Sequence, residues 1–274
     1  VAELLESVEV QIVELKTSGD RGARGGDKSR WVKELEEALL DGRADLAVHS
    51  AKDVPGELPA GLSIIGVPPR ADARDAVCGA AGVAAIPEGA VVGTSSLRRR
   101  SQLLAVRPDL VVEDMRGNVD TRLKKLRERE YDAIVLARAG LDRLGVDDGE
   151  AVETGTLTPA PGQGCLALEG RSDDDQVAEI ASAVTDRRAL VELTAERAVV
   201  TALDATCHTP VGAHARLDGD RLAVDAYAGL PDGSAWIRDR LESDASDPSA
   251  LGREVAERML AAGAGALLAQ AEAR

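Results

Sequence analysis

The sequence predicts an α/β protein that ends in a small α+β unit. Three observations carry this. From Val8 to Leu144, short apolar runs alternate with stretches of helical periodicity. Pro159-Ala160-Pro161-Gly162-Gln163-Gly164 then breaks the alternation, as a crossing between domains does. Beyond it, two helical stretches lead into three strand-like runs joined by tight turns.

Each element follows from its local pattern. Val8 to Leu15 alternates apolar and polar residues and is expected as a strand. Ser29 to Leu40 places Val32, Leu35, Leu39 and Leu40 at helical spacing, with Gly42 just past the end. Ala44 to Val48 and Leu62 to Val67 are short buried strands, the second followed by Pro68-Pro69. Val91-Val92 leads into Thr94-Ser95-Ser96, where a helix starts and runs to about Arg107. Leu110 to Glu113 is a strand, and Asn118 to Arg129 a helix with Val119, Leu123 and Leu126 on one face. Ala133 to Leu136 is a strand and Ala139 to Leu144 a short helix. This alternation implies mostly parallel sheets covered on both faces. After the crossing, Val177 to Val184 and Ala189 to Leu203 are helices. Val211 to Leu217, Leu222 to Gly229 and Trp236 to Leu241 are strands, with turn signals at Asp218-Gly219 and Pro231-Asp232-Gly233. One helix from Pro248 to about Leu268 closes the chain, and no internal repeat is present.

Composition narrows the function classes. The 274 residues suffice for two or three domains. Asp and Glu number 48 against 33 Lys and Arg, a net charge of -15 that disfavours general nucleic-acid binding. Aromatic residues are 1% of the chain, so few could stack on bases, and cores must be built from Ala, Val, Leu and Ile. Such acidity keeps a chain soluble at the cost of self-repulsion that salt screens. It fits a host with a salty cytoplasm, or an arginine- and alanine-biased genome. No apolar run reaches membrane-span length and no signal peptide is evident, so a soluble, cytoplasmic protein is expected; a monomer is expected as well. Three cysteines without CxxC spacing argue against a disulfide framework or a zinc site.

Against this acidic background the run Thr94-Ser95-Ser96-Leu97-Arg98-Arg99-Arg100, then Arg116-Gly117-Asn118 and Arg122, stands out. Strand ends that feed helix starts gather backbone N–H groups that favour an anion, and arginine forks bind carboxylate or phosphate. A cleft for a polyanionic small molecule is one reading; a solvated helix face balancing nearby acids is the other. Lys52 and Asp53 directly follow a buried strand, where ligands of open α/β sheets sit. A surface turn stopped by Pro55 is the alternative. His49, at a strand end with no triad spacing, reads as structural rather than catalytic, and His214, alternating with apolar residues in a strand, as packing or surface. Cys207 lies in a polar loop beside His208, which suits a nucleophile or an attachment point as well as a bare loop thiol. Cys78 and Cys165 sit in apolar, strand-like surroundings and read as core.

Taken together these segments resemble one family. His49-Ser50-Ala51-Lys52-Asp53-Val54-Pro55 is similar to the signature of hydroxymethylbilane synthases, also called porphobilinogen deaminases. Val92 to Arg99, Arg116 to Leu123, Tyr131 to Ala137, Ala139 to Gly145, Pro161 to Gly164 and Thr194 to Ala198 continue the likeness in order. The resemblance implies two α/β domains like type II periplasmic binding proteins with a cleft between them, and a small C-terminal α+β domain. Residues 1–70 with 160–186, 71–159 and 187–274 would be those three domains. It further implies a dipyrromethane cofactor joined by a thioether to Cys207. Porphobilinogen units are added to that primer with loss of ammonia, and linear hydroxymethylbilane is released. A non-catalytic anion-binding protein with the same cleft is the alternative.

The residue roles implied by the resemblance are specific. Asp53 would be the catalytic carboxylate, stabilising the cation left when ammonia departs. Lys52, Ser96, Arg98, Arg99 and Arg122 would hold the cofactor with Cys207. Ser50, Arg116, Arg143, Gln163 and Lys28 would bind substrate. Departures from the family are equally specific. Val1 falls inside what resembles the family's first helix, so an arginine and a serine of the substrate site have no counterpart here. The stretch from Gly19 to Lys28, similar to an active-site lid, is shortened, and Ala205-Thr206 replaces a Gly-Gly pair before the cysteine.

Overall fold

A computed structural model describes residues 1–5, 8–15, 29–206 and 209–273, with the side chains of 29–31 outside the description. In chain order it contains α1 (Ser29–Leu40), β1 (Ala47–Ser50), β2 (Leu62–Gly66), β3 (Asp75–Cys78), β4 (Val91–Gly93), α2 (Leu97–Val106), β5 (Val111–Glu113) and α3 (Val119–Arg127). Then come β6 (Ala133–Ala137), α4 (Arg138–Arg143), β7 (Glu150–Ala151), β8 (Leu166–Arg171), α5 (Asp175–Ala183) and α6 (Arg187–Ala202). Strands β9 (Val211–Asp218), β10 (Arg221–Gly229) and β11 (Trp236–Asp244) precede the closing helices α7 (Pro248–Ala261) and α8 (Ala264–Glu272).

The strands form three sheets, ordered β1-β8-β2, β5-β4-β6-β3-β7 and β11-β10-β9. The expectation of mostly parallel sheets is corrected. Among the described residues β4 runs parallel to β5 and β6, whereas β3 is antiparallel to both β6 and β7. The first sheet is antiparallel throughout, because β8 enters between β1 and β2 against their direction, pairing Ala47 with Glu169 and Ile64 with Glu169. The chain therefore leaves this sheet after β2, builds the five-stranded sheet, and returns. Both crossings run beside each other: Ala71 N donates to Gly164 O at 3.1 Å.

Two further expectations change. Val8–Leu15 forms no strand, and Ile12 is 78% exposed. Alternation supplies a face, but a strand also needs a neighbouring strand for its backbone groups, and 8–15 pairs with none among the described residues. The single closing helix is two, separated at Gly263, whose φ of +102° lies outside helical space. Strands β3 and β8 are buried nearly throughout. They lack the alternation that marks a half-exposed strand, and so show in the sequence only as the apolar settings of Cys78 and Cys165.

Small aliphatic side chains fill the cores, as the scarcity of aromatics requires. Val77, Val92, Leu103, Val112 and Val135 pack on one face of the five-stranded sheet, and Met115, Leu123, Ile134 and Leu141 on the other. In the C-terminal layer, α6 and α7 cover β9–β11 through Ala195, Val199, Leu222, Val224, Val255 and Met259. The two helices approach closely at Gly252, where a Cβ would collide with Ala195 O. No described helix is long and apolar enough to cross a membrane.

Candidate active site

Strand β4 ends at Gly93 and delivers Thr94-Ser95-Ser96 to the start of α2. Ser96 is the N-cap, its hydroxyl accepting from Arg99 N at 3.4 Å. Ser95 Oγ accepts from Met115 N at 3.1 Å and fixes this turn to the segment after β5. The first helical turn then carries Arg98 and Arg99, two cations at the end of a helix that repels them. A single carboxylate resolves the conflict. Asp75 of β3, fully buried, accepts from Arg98 Nη1 at 2.7 Å, Arg98 Nη2 at 3.2 Å, Arg99 Nε at 3.0 Å and Arg99 Nη2 at 2.8 Å. Burial alone would raise the Asp75 pKa, but the two guanidinium charges and their hydrogen bonds outweigh it and hold the carboxyl far below the usual range.

Sequence reading does not single out Asp75. An aspartate opening an unmarked strand carries no local signal of its role. Gln163, expected at the substrate, also belongs to this node. It is 1% exposed, and its Nε2 donates to Asp75 Oδ1 at 2.9 Å and to Ala73 O at 2.7 Å. Its amide N–H groups are thus spent on Asp75 and the first crossing rather than on the surface. Arg98 Nη1 also donates to Thr158 O at 2.7 Å, and Arg99 Nη1 to Val135 O at 2.9 Å. The node ties β3, α2, β6 and both crossings together.

The Lys52-Asp53 pair sits in a tight turn, Ala51–Asp53, at the carboxyl end of β1, with Ser50 before it. Gly162, at φ +73°, presses on this turn; a Cβ there would lie 2.9 Å from the Ala51 carbonyl carbon. A cavity of about 340 Å³ opens beside it, lined by Lys52, Asp53, Pro161, Ala205, Thr206 and Thr209. Thr206 and Thr209 bracket the expected attachment residue, and Thr206 N donates to Thr209 Oγ1 at 2.9 Å. Cys207, His208 and Lys28 lie outside the described residues.

The other expected arginines behave differently. Arg116 is exposed. Arg122 Nε donates to Gly117 O at 2.8 Å, and its pKa is lowered by burial and then by the nearby Arg99 charge. Arg143 Nη2 reaches across to Gly164 O at 2.9 Å, joining α4 to the returning crossing. Cys78 and Cys165 are buried in the core, where desolvation pushes their thiols up to about 11 and about 12. His49 Nε2 lies 2.7 Å from Glu169 Oε2, both side chains buried. His214 Nδ1 lies 3.5 Å from Glu196 Oε1.

A second network sets where the C-terminal layer sits. Arg70, in the first crossing, donates to Glu196 at 2.7 Å and 3.2 Å and to Glu192 at 3.3 Å. Glu196 Oε2 accepts from Gly162 N at 2.6 Å and Oε1 from Ala215 N at 2.8 Å. Helix α6 is thereby bonded to the crossing on one side and to β9 on the other. Burial would raise the Glu196 pKa, yet Arg70 and His214 lower it overall.

Comparison with known proteins agrees with this layout. The family model described as "Porphobilinogen deaminase, dipyromethane cofactor binding domain" matches residues 1–179, and "Porphobilinogen deaminase, C-terminal domain" matches residues 190–261. The chain belongs to the porphobilinogen deaminase family. A porphobilinogen deaminase of Roseiflexus sp. (strain RS-1) is 50% identical over 248 residues, 89% of this chain and 82% of that one. Those of Thermus thermophilus and Deinococcus radiodurans are 47% and 46% identical, covering 96% and 94% of this chain and 89% and 87% of theirs. Among solved structures, the periplasmic VFT2 domain of Bordetella pertussis BvgS superposes with a TM-score of 0.38 at 17% identity, over 66% of this chain and 73% of that one. Family membership brings the dipyrromethane cofactor to this chain.

Proposed function

We propose that this chain is a hydroxymethylbilane synthase that condenses porphobilinogen units onto a dipyrromethane joined to Cys207. The observation that carries the reading is one shared cavity. Lys52 and Asp53 line it from one side, and the residues on both sides of Cys207 line it from another. When bound, the dipyrromethane supplies the pyrrole carbon to which the next unit is joined.

The chain's own residues do the rest. Asp53 accepts pyrrole N–H groups and stabilises the positive charge that develops as ammonia leaves the substrate. Lys52, Ser96, Arg98, Arg99 and Arg122 provide positive charge and donors for the cofactor's acetate and propionate groups. Ser50, Arg116 and Arg143 meet the incoming unit, with Gln163 and Lys28 assigned to the same region. Gln163 acts there through Asp75 and the crossing, given its burial. We divide the chain into residues 1–70 with 160–186, residues 71–159, and residues 187–274, a division supported by the separate sheets β1-β8-β2, β5-β4-β6-β3-β7 and β11-β10-β9.

The test is intact mass combined with two variants. Active chain should exceed its polypeptide mass by the dipyrromethane, and acid with Ehrlich's aldehyde reagent should colour it. Cys207→Ala should abolish both signals. Asp53→Asn should keep the fold and lower turnover by a factor on the order of a hundred or more. An adduct mapped to Cys78 or Cys165, or normal turnover in Asp53→Asn, would remove these assignments.

A further inference from the structure

The Thr194-Ala195-Glu196-Arg197-Ala198 stretch lies on α6, and its arginine has no part in the reading above. Arg197 Nη2 donates to Pro55 O at 2.7 Å and to Gly56 O at 2.8 Å. These two peptides directly follow the Lys52-Asp53 turn. Among the described residues no hydrogen bond engages Arg197 Nε or Nη1. Burial lowers the pKa of the guanidinium, with Glu169 acting in the opposite sense. The Glu169 carboxylate lies against His49 at 2.7 Å, and among the described residues the half-buried Arg197 has no carboxylate in contact.

Arg197 also lines the 340 Å³ cavity with Lys52 and Asp53. That cavity is therefore lined by two cations and one carboxylate. A pyrrole ring with an acetate and a propionate presents the complement: one N–H donor and two anions. Arginine donors half-removed from water bind a carboxylate through charge-assisted hydrogen bonds.

We propose that Arg197 is a carboxylate-binding residue of this cavity. Its unengaged Nε–H and Nη1–H groups hold an acetate or propionate of a bound pyrrole. Its Nη2 meanwhile keeps the Pro55-Gly56 peptides, and hence the Asp53 turn, against α6. The proposal rests on the reading of this cavity as the pyrrole site.

The test uses the full chain with Arg197→Gln and Arg197→Lys. The first removes the charge and the second keeps it. The fraction of chain carrying the dipyrromethane mass, KM and kcat for porphobilinogen, and the melting temperature are measured for each. Arg197→Gln should lower the loaded fraction or raise KM by about tenfold or more, with Arg197→Lys within about threefold of the parent. A Gln variant that loads and binds like the parent overturns the proposal. So do equal losses in both variants that track their melting temperatures, or a Gln variant that does not fold, since each assigns Arg197 to the loop tether alone. A parent chain with no adduct on Cys207 breaks the reading of the cavity instead, which keeps the two failures distinct.

Discussion

Arg98 and Arg116 are drawn from the same stretch of chain and lie at the ends of neighbouring parallel strands, yet they are opposite in state. Arg98 is 4% exposed and locked between Asp75 and the Thr158 carbonyl; Arg116 is exposed. The difference lies in what surrounds each. Arg98 and Arg99 share a buried carboxylate that neutralises part of their mutual repulsion and fixes both forks in advance. Arg116 follows β5 on the surface, where water solvates the charge and leaves the side chain free to adapt. A fixed anchor suits a permanent primer, and an adaptable one suits a chain that lengthens. Under the proposed function, the buried node is a stability element as well as a binding element, and the exposed arginine a binding element alone.

The strongest way to break that distinction is to remove Asp75. Asp75→Asn leaves two buried guanidinium groups without their carboxylate, and breaking a buried pair on one side costs roughly 3–5 kcal/mol. We expect a large drop in melting temperature and little or no dipyrromethane on the purified chain, read by thermal unfolding and intact mass. Acid gives a second readout of the same group. The folded carboxyl titrates far below its unfolded value, so the unfolded chain takes up a proton first. The stability Asp75 contributes is present above about pH 4 and is lost as pH falls below it, toward the folded pKa. Acid unfolding should flatten in Asp75→Asn over that range. An unchanged acid slope and normal loading would mean the node is incidental.

Next in size is Arg98→Leu. Asp75 keeps Arg99 and Gln163 as partners, so the loss is that of charged hydrogen bonds, roughly 1.5–3 kcal/mol. The variant should fold with a lower melting temperature and be purified mainly as bare polypeptide. Arg116→Leu should do the reverse. Its stability should stay within about 0.5 kcal/mol of the parent, as for an exposed side chain, while the chain loads its cofactor and then stalls. Intact mass would show partly elongated species. Equal loading and equal elongation in both variants would erase the difference between the two arginines.

The sequence made the arginines legible and left their partners hidden. An Arg-Arg pair in an acidic chain announces itself, as does Lys52-Asp53 at a strand end, because charge next to a turn is a local signal. Asp75, Arg70 and Glu196 act across long sequence separations, so nothing beside them in the chain marks what they meet. The same rule holds for the fold. α1 and the β9–β11 meander follow from local periodicity and turns. The antiparallel insertion of β8 between β1 and β2 depends on where the chain returns, which no local window contains. Gln163 shows the boundary within one residue: its motif marked importance, and only its Nε2 contacts revealed that it serves Asp75.

Salt provides the smallest effect and the finest division between the two classes. The surplus of carboxylates, 48 acidic against 33 basic residues, should repel itself in dilute buffer. In molar chloride the Debye length falls to about 3 Å, and the repulsion fades. Melting temperature should therefore rise with potassium chloride. Binding at exposed Arg116 should weaken over the same series, because its charge is screened as readily as those of the surface acids. The buried node is screened least, so the loaded fraction should hold steady while KM for porphobilinogen climbs. One preparation followed across a salt series, by thermal unfolding, intact mass and initial rates, separates the three trends. A melting temperature that stays flat or falls would argue against a halophilic origin of the acidity and leave compositional bias as its cause. A loaded fraction that falls in step with rising KM would show the buried and exposed arginines to be one electrostatic system, and the distinction between them would fail.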